Sequence, residues 1–225
     1  MRRATRIERM MLACMVLGLS VGLARAAERP WEKLYTGADA VGDKVVALWQ
    51  FQPGAELEDR KGQAALTLRG KARILKDERF GGALESFCSG KDFDKPHGAS
   101  TQWKLDLTPT GALTLEAWVK LKADPSDPKW RSGYIIDKMY VPNTHESSKY
   151  NKDYFFRINR VASGKTCVLH AGIGLGAEVI TFQSQSIPAT PGIWRHLAFT
   201  YDGKGTGMFF VDGDFVGRKD YPGKG

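Results

Sequence analysis

Helical periodicity is the feature that this sequence most clearly lacks. After residue 27, no stretch repeats apolar residues at the three- and four-residue spacing of an amphipathic helix. Residues 28–38 contain at most one irregular turn. Short alternating runs of apolar and polar residues are instead separated by Gly, Pro, Asp and Asn, which predicts an all-β chain.

Cysteine is also scarce, with three residues in a chain of 225. Cys14 lies in an N-terminal apolar run, so Cys88 and Cys167 are the two that can pair in the rest of the chain. An even pair in an exported protein favours a disulfide bond. Both cysteines lie in strand-like runs, however, where burial as free thiols is equally compatible with the sequence. Both alternatives stay open, because the sequence does not give the distance between the two Cα atoms.

No apolar run is long enough for a membrane-spanning helix, which needs about 20 residues. The longest run, residues 10–23, follows a cluster of four arginines and ends at a small-x-small motif. Residues 1–26 are therefore predicted to be a secretory signal peptide. We expect a secreted, periplasmic or cell-envelope protein with no stable membrane span after signal removal. A retained anchor, or a lipoprotein signal at Cys14, is the alternative.

A strong charge of one sign is missing from the mature chain. Residues 1–26 contain five arginines and one glutamate, so the formal charge falls from +8 to +4 when they are removed. No cluster of Lys and Arg alternates with aromatic residues on one predicted face. We therefore expect no nucleic-acid partner.

Signatures of catalysis are absent as well. The four histidines show no HExxH spacing, and the sequence has no GxSxG motif. Retaining glycosidases need two carboxyl groups about 5–5.5 Å apart, yet Glu116 alternates with apolar residues and Asp77 lies in a predicted turn. The glycine-rich residues 172–176 follow a strand without opening a helix, and we expect a bend or bulge there. The sequence thus predicts a protein that is not an enzyme.

What the sequence does contain is a closing trio of strands in residues 194–218, WRHLAFTYDGKGTGMFFVDGDFVGR. Apolar residues alternate through residues 194–201, and residues 208–211 and 215–218 form the next two strands. Asp212 and Gly213 predict a hairpin turn between them, because Gly adopts positive φ without steric cost and Asp tolerates it.

Residues 113–122 alternate as cleanly, with Trp118 as a large aromatic residue on the polar face. We expect Trp118 to pack beneath a loop or a neighbouring strand rather than to serve as a ligand platform. Further strands are predicted at residues 45–51, 65–69, 73–75, 83–88, 101–105, 134–138, 154–161, 167–173 and 178–182.

Two long polar connections, residues 122–132 and 139–153, separate some of these strands. Loops longer than about 12 residues are usually functional or disordered. These two offer aromatic rings that can stack on a sugar and polar groups that can bind its hydroxyls. The alternative is that they are ordinary solvated loop residues. The candidate ligand-binding residues are Trp130, Tyr140, Asn143, Glu146, Tyr150, Asn151 and Asp153.

Five segments, taken in order, resemble a known family. Residues 48–63, 80–87, 112–122, 133–138 and 194–218 look like the laminin-G-like jelly-roll domain of the concanavalin A-like lectin/glucanase superfamily, in its bacterial secreted type. The resemblance implies an all-β fold of two antiparallel sheets packed face to face, with ligands on the concave sheet or at the rim loops.

The resemblance also carries two further expectations. Members often hold one Ca²⁺ ion, and Asp59 matches an acidic position before a glycine turn, which makes it the metal candidate. Alternatively, its carboxylate binds the backbone of its own turn. Family domains normally continue past the hairpin at residues 211–214, so we expect either missing last strands or an N-terminal strand that fills their place.

The sequence therefore predicts a signal peptide (1–26), a lead-in (27–40) and a jelly-roll sandwich (41–225). The expected function is non-catalytic recognition of carbohydrate through rim loops, assisted by Ca²⁺. The first alternative is a structural or adhesion domain that binds a cell-envelope or extracellular protein. The second alternative is a glycosidase-like enzyme, against which the absence of paired carboxylates argues.

Overall fold

The computed structural model describes residues 29–87, 97–102, 107–108, 110–122, 133–138, 153–161, 165–176 and 178–225. The chain divides into two compact units, residues 1–33 and residues 34–225. In the first unit, Pro30–Glu32 forms a single 3₁₀ turn. The described part of the second unit contains the four-residue helix α1 (Ala38–Val41) and consists mainly of strands and their connections. No helix in the described ranges is long and apolar enough to cross a membrane.

The strands of the second unit are numbered here in chain order. They are β1 (Thr67–Leu68), β2 (Arg73–Asp77), β3 (Gly81–Glu85), β4 (Ala99–Ser100), β5 (Leu113–Lys120), β6 (Gly133–Asp137), β7 (Tyr154–Arg160), β8 (Thr166–Leu175), β9 (Glu178–Gln183), β10 (Ile187–Pro188), β11 (Trp194–Tyr201), β12 (Thr206–Val211) and β13 (Asp214–Asp220).

Two antiparallel sheets make up the sandwich, which confirms the predicted all-β jelly-roll fold. One sheet has the order β13-β12-β11-β5. In the other, β8 pairs with β7 on one side and with both β9 and β10 on the other, and β6 pairs with β7. The pairs β1-β4 and β2-β3 form two small additional sheets.

The core lies between the two large sheets and is built from every second residue of their strands, as strand geometry requires. Four phenylalanines are completely buried in it: Phe156 from β7, Phe182 from β9, Phe199 from β11 and Phe209 from β12. The rings of Phe199 and Phe209 lie 4.9 Å apart, and those of Phe182 and Phe199 lie 5.3 Å apart. Each buried ring stabilises the fold by roughly 1.5–3 kcal/mol.

The closing trio is confirmed as β11, β12 and β13, and the turn between the last two has positive φ at both Asp212 (50°) and Gly213 (82°). The prediction of a strand at residues 45–51 is wrong. Only Trp49 makes a bridge there, to Asp59, and Phe51, with a φ of 53°, ends the extended backbone.

Two smaller predictions also need correction. The bend or bulge expected at residues 172–176 is confined to the turn at Gly176, where φ is 68°, since β8 pairs with β9 in continuous register as far as Leu175. Thr101 and Gln102 lie outside any strand, and the rest of the strand expected at 101–105 falls outside the described residues.

Strand β13 lies at the edge of its sheet among the residues described. Its outer side is contacted by the Gln185 amide, which donates a hydrogen bond to the Val216 carbonyl (2.8 Å). The expectation that an N-terminal strand fills this position is wrong for the described part of the chain, because no such strand pairs with β13.

Candidate functional site

The outer face of the β5–β11 sheet is covered by the protein's own chain around its two tryptophans. The turn after β2 places the Phe80 ring 5.3 Å from Trp118 and 5.1 Å from Trp194. The Arg79 guanidinium lies 4.0 Å above the Trp118 ring. Asp77 accepts a hydrogen bond from Trp194 Nε1 at 3.1 Å. The prediction that Trp118 packs beneath a loop is therefore confirmed.

Two of the four histidines are held in structural contacts. On β11, His196 is buried, and its Nε2 lies 3.4 Å from Glu116 Oε2. Burial acts to raise the pKa of Glu116, but hydrogen bonds from His196 and Tyr35 outweigh it and lower that pKa. His97 Nδ1 accepts a hydrogen bond from the Lys71 backbone amide at 3.1 Å. These contacts join segments far apart in the sequence.

The outer face of the other large sheet carries a row of four side chains, which we call the Tyr134 row. Tyr134 on β6 pairs across the sheet with Arg157 on β7, Arg157 pairs with His170 on β8, and His170 pairs with Gln183 on β9. Directly opposed residues point to the same face of a sheet. Three strand spacings make the row on the order of 14 Å long.

Arg157 organises the Tyr134 row. Its guanidinium lies over the rings of Tyr134 (5.4 Å) and Phe155 (5.0 Å). Its Nη1 donates to the Tyr134 hydroxyl at 3.1 Å, and its Nη2 and Nε donate to His170 Nδ1 at 2.8 and 3.1 Å. Cation–π contact and hydrogen bonds together hold the guanidinium in one orientation. Tyr134 itself remains 53% exposed.

His170 is neutral in this arrangement. Arg157 and the Asn159 amide nitrogen (3.2 Å) both donate to its Nδ1, which must therefore act as an acceptor and leave the proton on Nε2. Burial and the positive charges of Arg157 and Lys219 lower the pKa of His170. The row thus offers a phenol, a guanidinium, a neutral imidazole N–H and an amide.

Phe155 forms the floor beneath the Tyr134 row. Its ring packs edge-on against Tyr134 (6.0 Å) and His170 (5.2 Å). It lies over Gly172, where a Cβ atom would stand 2.2 Å from the Phe155 Cε1 atom. The glycine is therefore required for this ring position, and the row rests on rigid strands rather than on loops.

Of the predicted ligand-binding residues, Asp153 is the one that lies within the described ranges. Its carboxylate forms an ion pair with Lys138 and accepts a hydrogen bond from the Thr108 hydroxyl (2.9 Å). Both charged side chains are largely buried, so this ion pair stabilises the fold just before the start of β7. The other candidates lie outside the described residues: Trp130, Tyr140, Asn143, Glu146, Tyr150 and Asn151.

Asp59, the predicted metal ligand, holds its own loop together. Its Oδ1 accepts hydrogen bonds from the amides of Leu48 (2.8 Å) and Lys61 (3.3 Å), and its Oδ2 accepts one from Gln63 (3.2 Å). The residue is 3% exposed. A carboxylate whose two oxygens already accept three backbone amide donors does not fit a Ca²⁺ ion, which needs six to eight oxygen ligands. The described residues contain no group of three or more His, Cys, Asp or Glu that could hold a metal.

Cys167 is a buried free thiol on β8. Burial raises its pKa to about 11. Burial as a free thiol, one of the two alternatives left open by the sequence, therefore describes Cys167 here, and no disulfide bond is shown among the residues described. Cys88 lies outside the described residues.

Sequence reasoning did not find the Tyr134 row. Alternation along residues 154–161 already places Phe155, Arg157 and Asn159 on one face. It does not indicate that Tyr134 and His170 lie opposite Arg157, because that depends on which strands pair and in which register.

The comparisons with known proteins agree with this architecture. A family model described as the concanavalin A-like lectin/glucanases superfamily matches residues 96–224, more than half of the chain. The chain belongs to this superfamily. No curated protein sequence matches it significantly.

Several solved structures share the superfamily fold with this chain. The binding domain of Paraclostridial Mosquitocidal Protein 1 aligns with a TM-score of 0.53 and 12% identity, over 74% of this chain and 38% of its own. Botulinum neurotoxin type C aligns with a TM-score of 0.52 and 13% identity, over 81% of this chain and 40% of that structure. The binding domain of botulinum neurotoxin DC aligns with a TM-score of 0.52 and 14% identity, over 79% of this chain and 39% of that structure. The chain therefore spans about two fifths of these structures, and at such identities the likeness shows the fold alone.

Proposed function

We propose that this chain is a secreted, non-catalytic recognition module that binds carbohydrate on the Tyr134 row. The observation that carries the proposal is the exposed Tyr134 ring, held beside an ordered guanidinium on a strand face. Strands hold their side chains more rigidly than loops do, so a ligand would find the site already formed.

The chemistry of the Tyr134 row suits a sugar. An aromatic face packs against the apolar C–H side of a pyranose, and nearby donors and acceptors bind its hydroxyls. Tyr134 supplies the ring, while Arg157, His170 and Gln183 supply hydrogen-bonding groups. The charges of Arg157 and Lys219, both close to His170, favour an acidic sugar over a neutral one.

Two of the structural neighbours support recognition as the function. Cell entry of botulinum neurotoxin type C is dependent upon interaction with two ganglioside molecules. The binding domain of botulinum neurotoxin DC forms a complex with rat synaptotagmin II. The first neighbour favours a glycan ligand, and the second keeps a protein partner as the alternative function.

Catalysis is not part of the proposal. Glycosidases flank the scissile bond with two carboxyl groups, and none of the four members of the Tyr134 row carries one. We further propose that the chain is exported to the periplasm, the cell envelope or the medium, as residues 1–26 predict. We also keep the proposal that a Ca²⁺ ion assists carbohydrate binding, with ligands other than Asp59.

The first experiment is a glycan array probed with the full chain, with Ca²⁺ and again with a chelator. We expect binding to a narrow class of acidic glycans. Tyr134→Ala should then weaken binding at least tenfold, which corresponds to about 1.4 kcal/mol. Phe215→Ala is the matched control, because Phe215 is an equally exposed aromatic residue (56%) on the other sheet. It should leave binding unchanged.

The outcomes separate the alternatives. A blank array from a folded chain would overturn the carbohydrate proposal and favour a protein partner. Glycan binding that survives Tyr134→Ala would move the site away from the row and favour the sequence-predicted ligand residues Trp130 and Tyr140. Loss of binding in chelator would support a Ca²⁺ ion at the site.

A further inference from the structure

A cavity of about 180 Å³ lies at one end of the sandwich, between the two sheets. Its walls come from five places: the end of β5, the start of β8, the start of β11, the short strand β10 and the β12–β13 hairpin. Most of the lining is aliphatic, from residues such as Val119, Leu121, Val211 and Val216. It is separate from the Tyr134 row, which lies on an outer face.

The cavity has a buried floor and an open mouth. Ile158, Cys167 and Leu197 line the floor and are almost completely buried, whereas the lining residues Ile193 and Asp214 are exposed. A ligand can therefore enter from solvent and reach an apolar interior. Dry apolar cavities of about 150 Å³ bind molecules the size of benzene, so this volume accommodates one small ring or short branched chain.

The polar groups at the cavity carry a net negative charge. Arg195 Nη1 forms an ion pair with Asp212 Oδ2 at 2.6 Å, and Asp212 Oδ1 accepts a hydrogen bond from the His196 amide at 2.8 Å. The positive charge of Arg195 is thus compensated. Asp214 makes no ion pair with any residue in the described ranges, which leaves one carboxylate beside the mouth to attract a cation.

We propose that this cavity is a binding site for a compact apolar group with a cationic head, in chemical terms a short-chain or cyclic alkylammonium. The aliphatic lining takes the hydrocarbon part, whose transfer from water is favourable in proportion to the area buried. The carboxylate of Asp214 binds the ammonium. A ligand of the same shape with a carboxylate in place of the ammonium is repelled by Asp214.

The test compares three ligands of one shape: cyclohexylamine, cyclohexanol and cyclohexanecarboxylate. Binding to the full chain is followed by methyl NMR shifts of the lining valines and leucines. We expect the amine to bind about fivefold more tightly than the alcohol, the gain from one opposite charge near the surface, and the carboxylate to bind most weakly. Equal affinities for the amine and the carboxylate would overturn the assignment of a cationic head.

Two variants locate the site. Asp214→Asn should remove the preference for the amine and leave cyclohexanol binding unchanged. Val216→Phe should fill the cavity and abolish binding of both ligands, whereas Val41→Phe, at an exposed position on α1, should not. Amine binding that persists unchanged in folded Val216→Phe would place the ligand elsewhere and overturn the proposal.

A second measurement does not depend on how the filled variant folds. Cys167 lies at the floor, so a bound ligand should slow its modification by methyl methanethiosulfonate. The reaction is followed at about pH 8, where the ammonium ligand keeps its charge and the small thiolate fraction of Cys167 reacts. Peptide mass spectrometry assigns the modified cysteine. We expect cyclohexylamine to slow labelling of Cys167 at least tenfold, and no protection by any of the three ligands would overturn the proposal.

Discussion

Asp77 Oδ2 accepts a hydrogen bond from Trp194 Nε1 at 3.1 Å, although the two residues are 117 positions apart. The same carboxylate pairs with Lys120 (3.1 Å) and accepts hydrogen bonds from the amides of Arg79 and Phe80. One side chain thus fixes the turn after β2 and joins it to β5 and β11. This turn covers the outer face of the sheet that contains β5 and β11.

Asp77→Ala should lower the free energy of unfolding by about 2–3 kcal/mol, because several donors lose their acceptor at once. Chemical denaturation monitored by tryptophan fluorescence measures the change, and the emission of Trp194 should also shift to the red. Asp214→Ala, at an exposed carboxylate, is the control and should change stability by less than about 0.5 kcal/mol. Equal effects of the two substitutions would contradict a fixing role for Asp77.

Asp153 gives a second prediction, since its carboxylate faces Lys138, whose side chain is only 9% exposed. Asp153→Ala should destabilise the fold by about 3 kcal/mol, because an ammonium group loses its counter-charge in a mostly buried position. Asp43→Ala, on the surface, serves as the comparison. If Asp153→Ala kept full stability but lost glycan binding, Asp153 would act as a ligand residue, as the sequence predicts.

The parts of the fold that depend on local alternation were predictable from the sequence. The strands β5, β11, β12 and β13 follow from a period of two, and the Asp212–Gly213 turn from the tolerance of positive φ. The packing of Trp118 was also predictable, because a large aromatic residue on a polar face requires a cover. Residues 45–51 show the limit of this reasoning, since the left-handed conformation of Phe51 has no signal in an alternating pattern.

The candidate site could not be predicted in the same way. The Tyr134 row exists because β6 pairs with β7 and β7 with β8, in a register that brings Tyr134 to Arg157 and Arg157 to His170. A shift of one residue would turn every side chain of a strand to the opposite face. The register is set by core packing over the whole sandwich, which no short motif records.

Gly172 provides a third prediction. Gly172→Ala should displace the Phe155 ring, because the new Cβ atom would stand 2.2 Å from Phe155 Cε1. We expect a loss of about 1–3 kcal/mol in stability, typical of overpacking, together with weaker binding at the Tyr134 row. Gly133→Ala is the matched control: it lies next to Tyr134, and its Cβ would meet nothing within 4 Å. If Gly172→Ala changed neither stability nor binding, the Phe155 ring beneath the Tyr134 row would not be rigidly held.

His170 provides the last prediction, on pH. Its pKa is lowered by burial and by the charges of Arg157 and Lys219, so the folded state binds fewer protons than the unfolded state below the ordinary value of 6.5. The stabilisation is therefore complete above pH 6.5 and is lost as the pH falls through the lowered pKa. Protonation would also place a donor at Nδ1 against the Arg157 guanidinium and release Tyr134, so glycan binding should weaken over the same pH range. Denaturation curves and binding isotherms across this range measure both effects.

His170→Gln is the control variant, because it keeps an acceptor without a titrating proton. Its stability and binding should depend less on pH. If the profiles of the two proteins coincide, the acid sensitivity comes from another group.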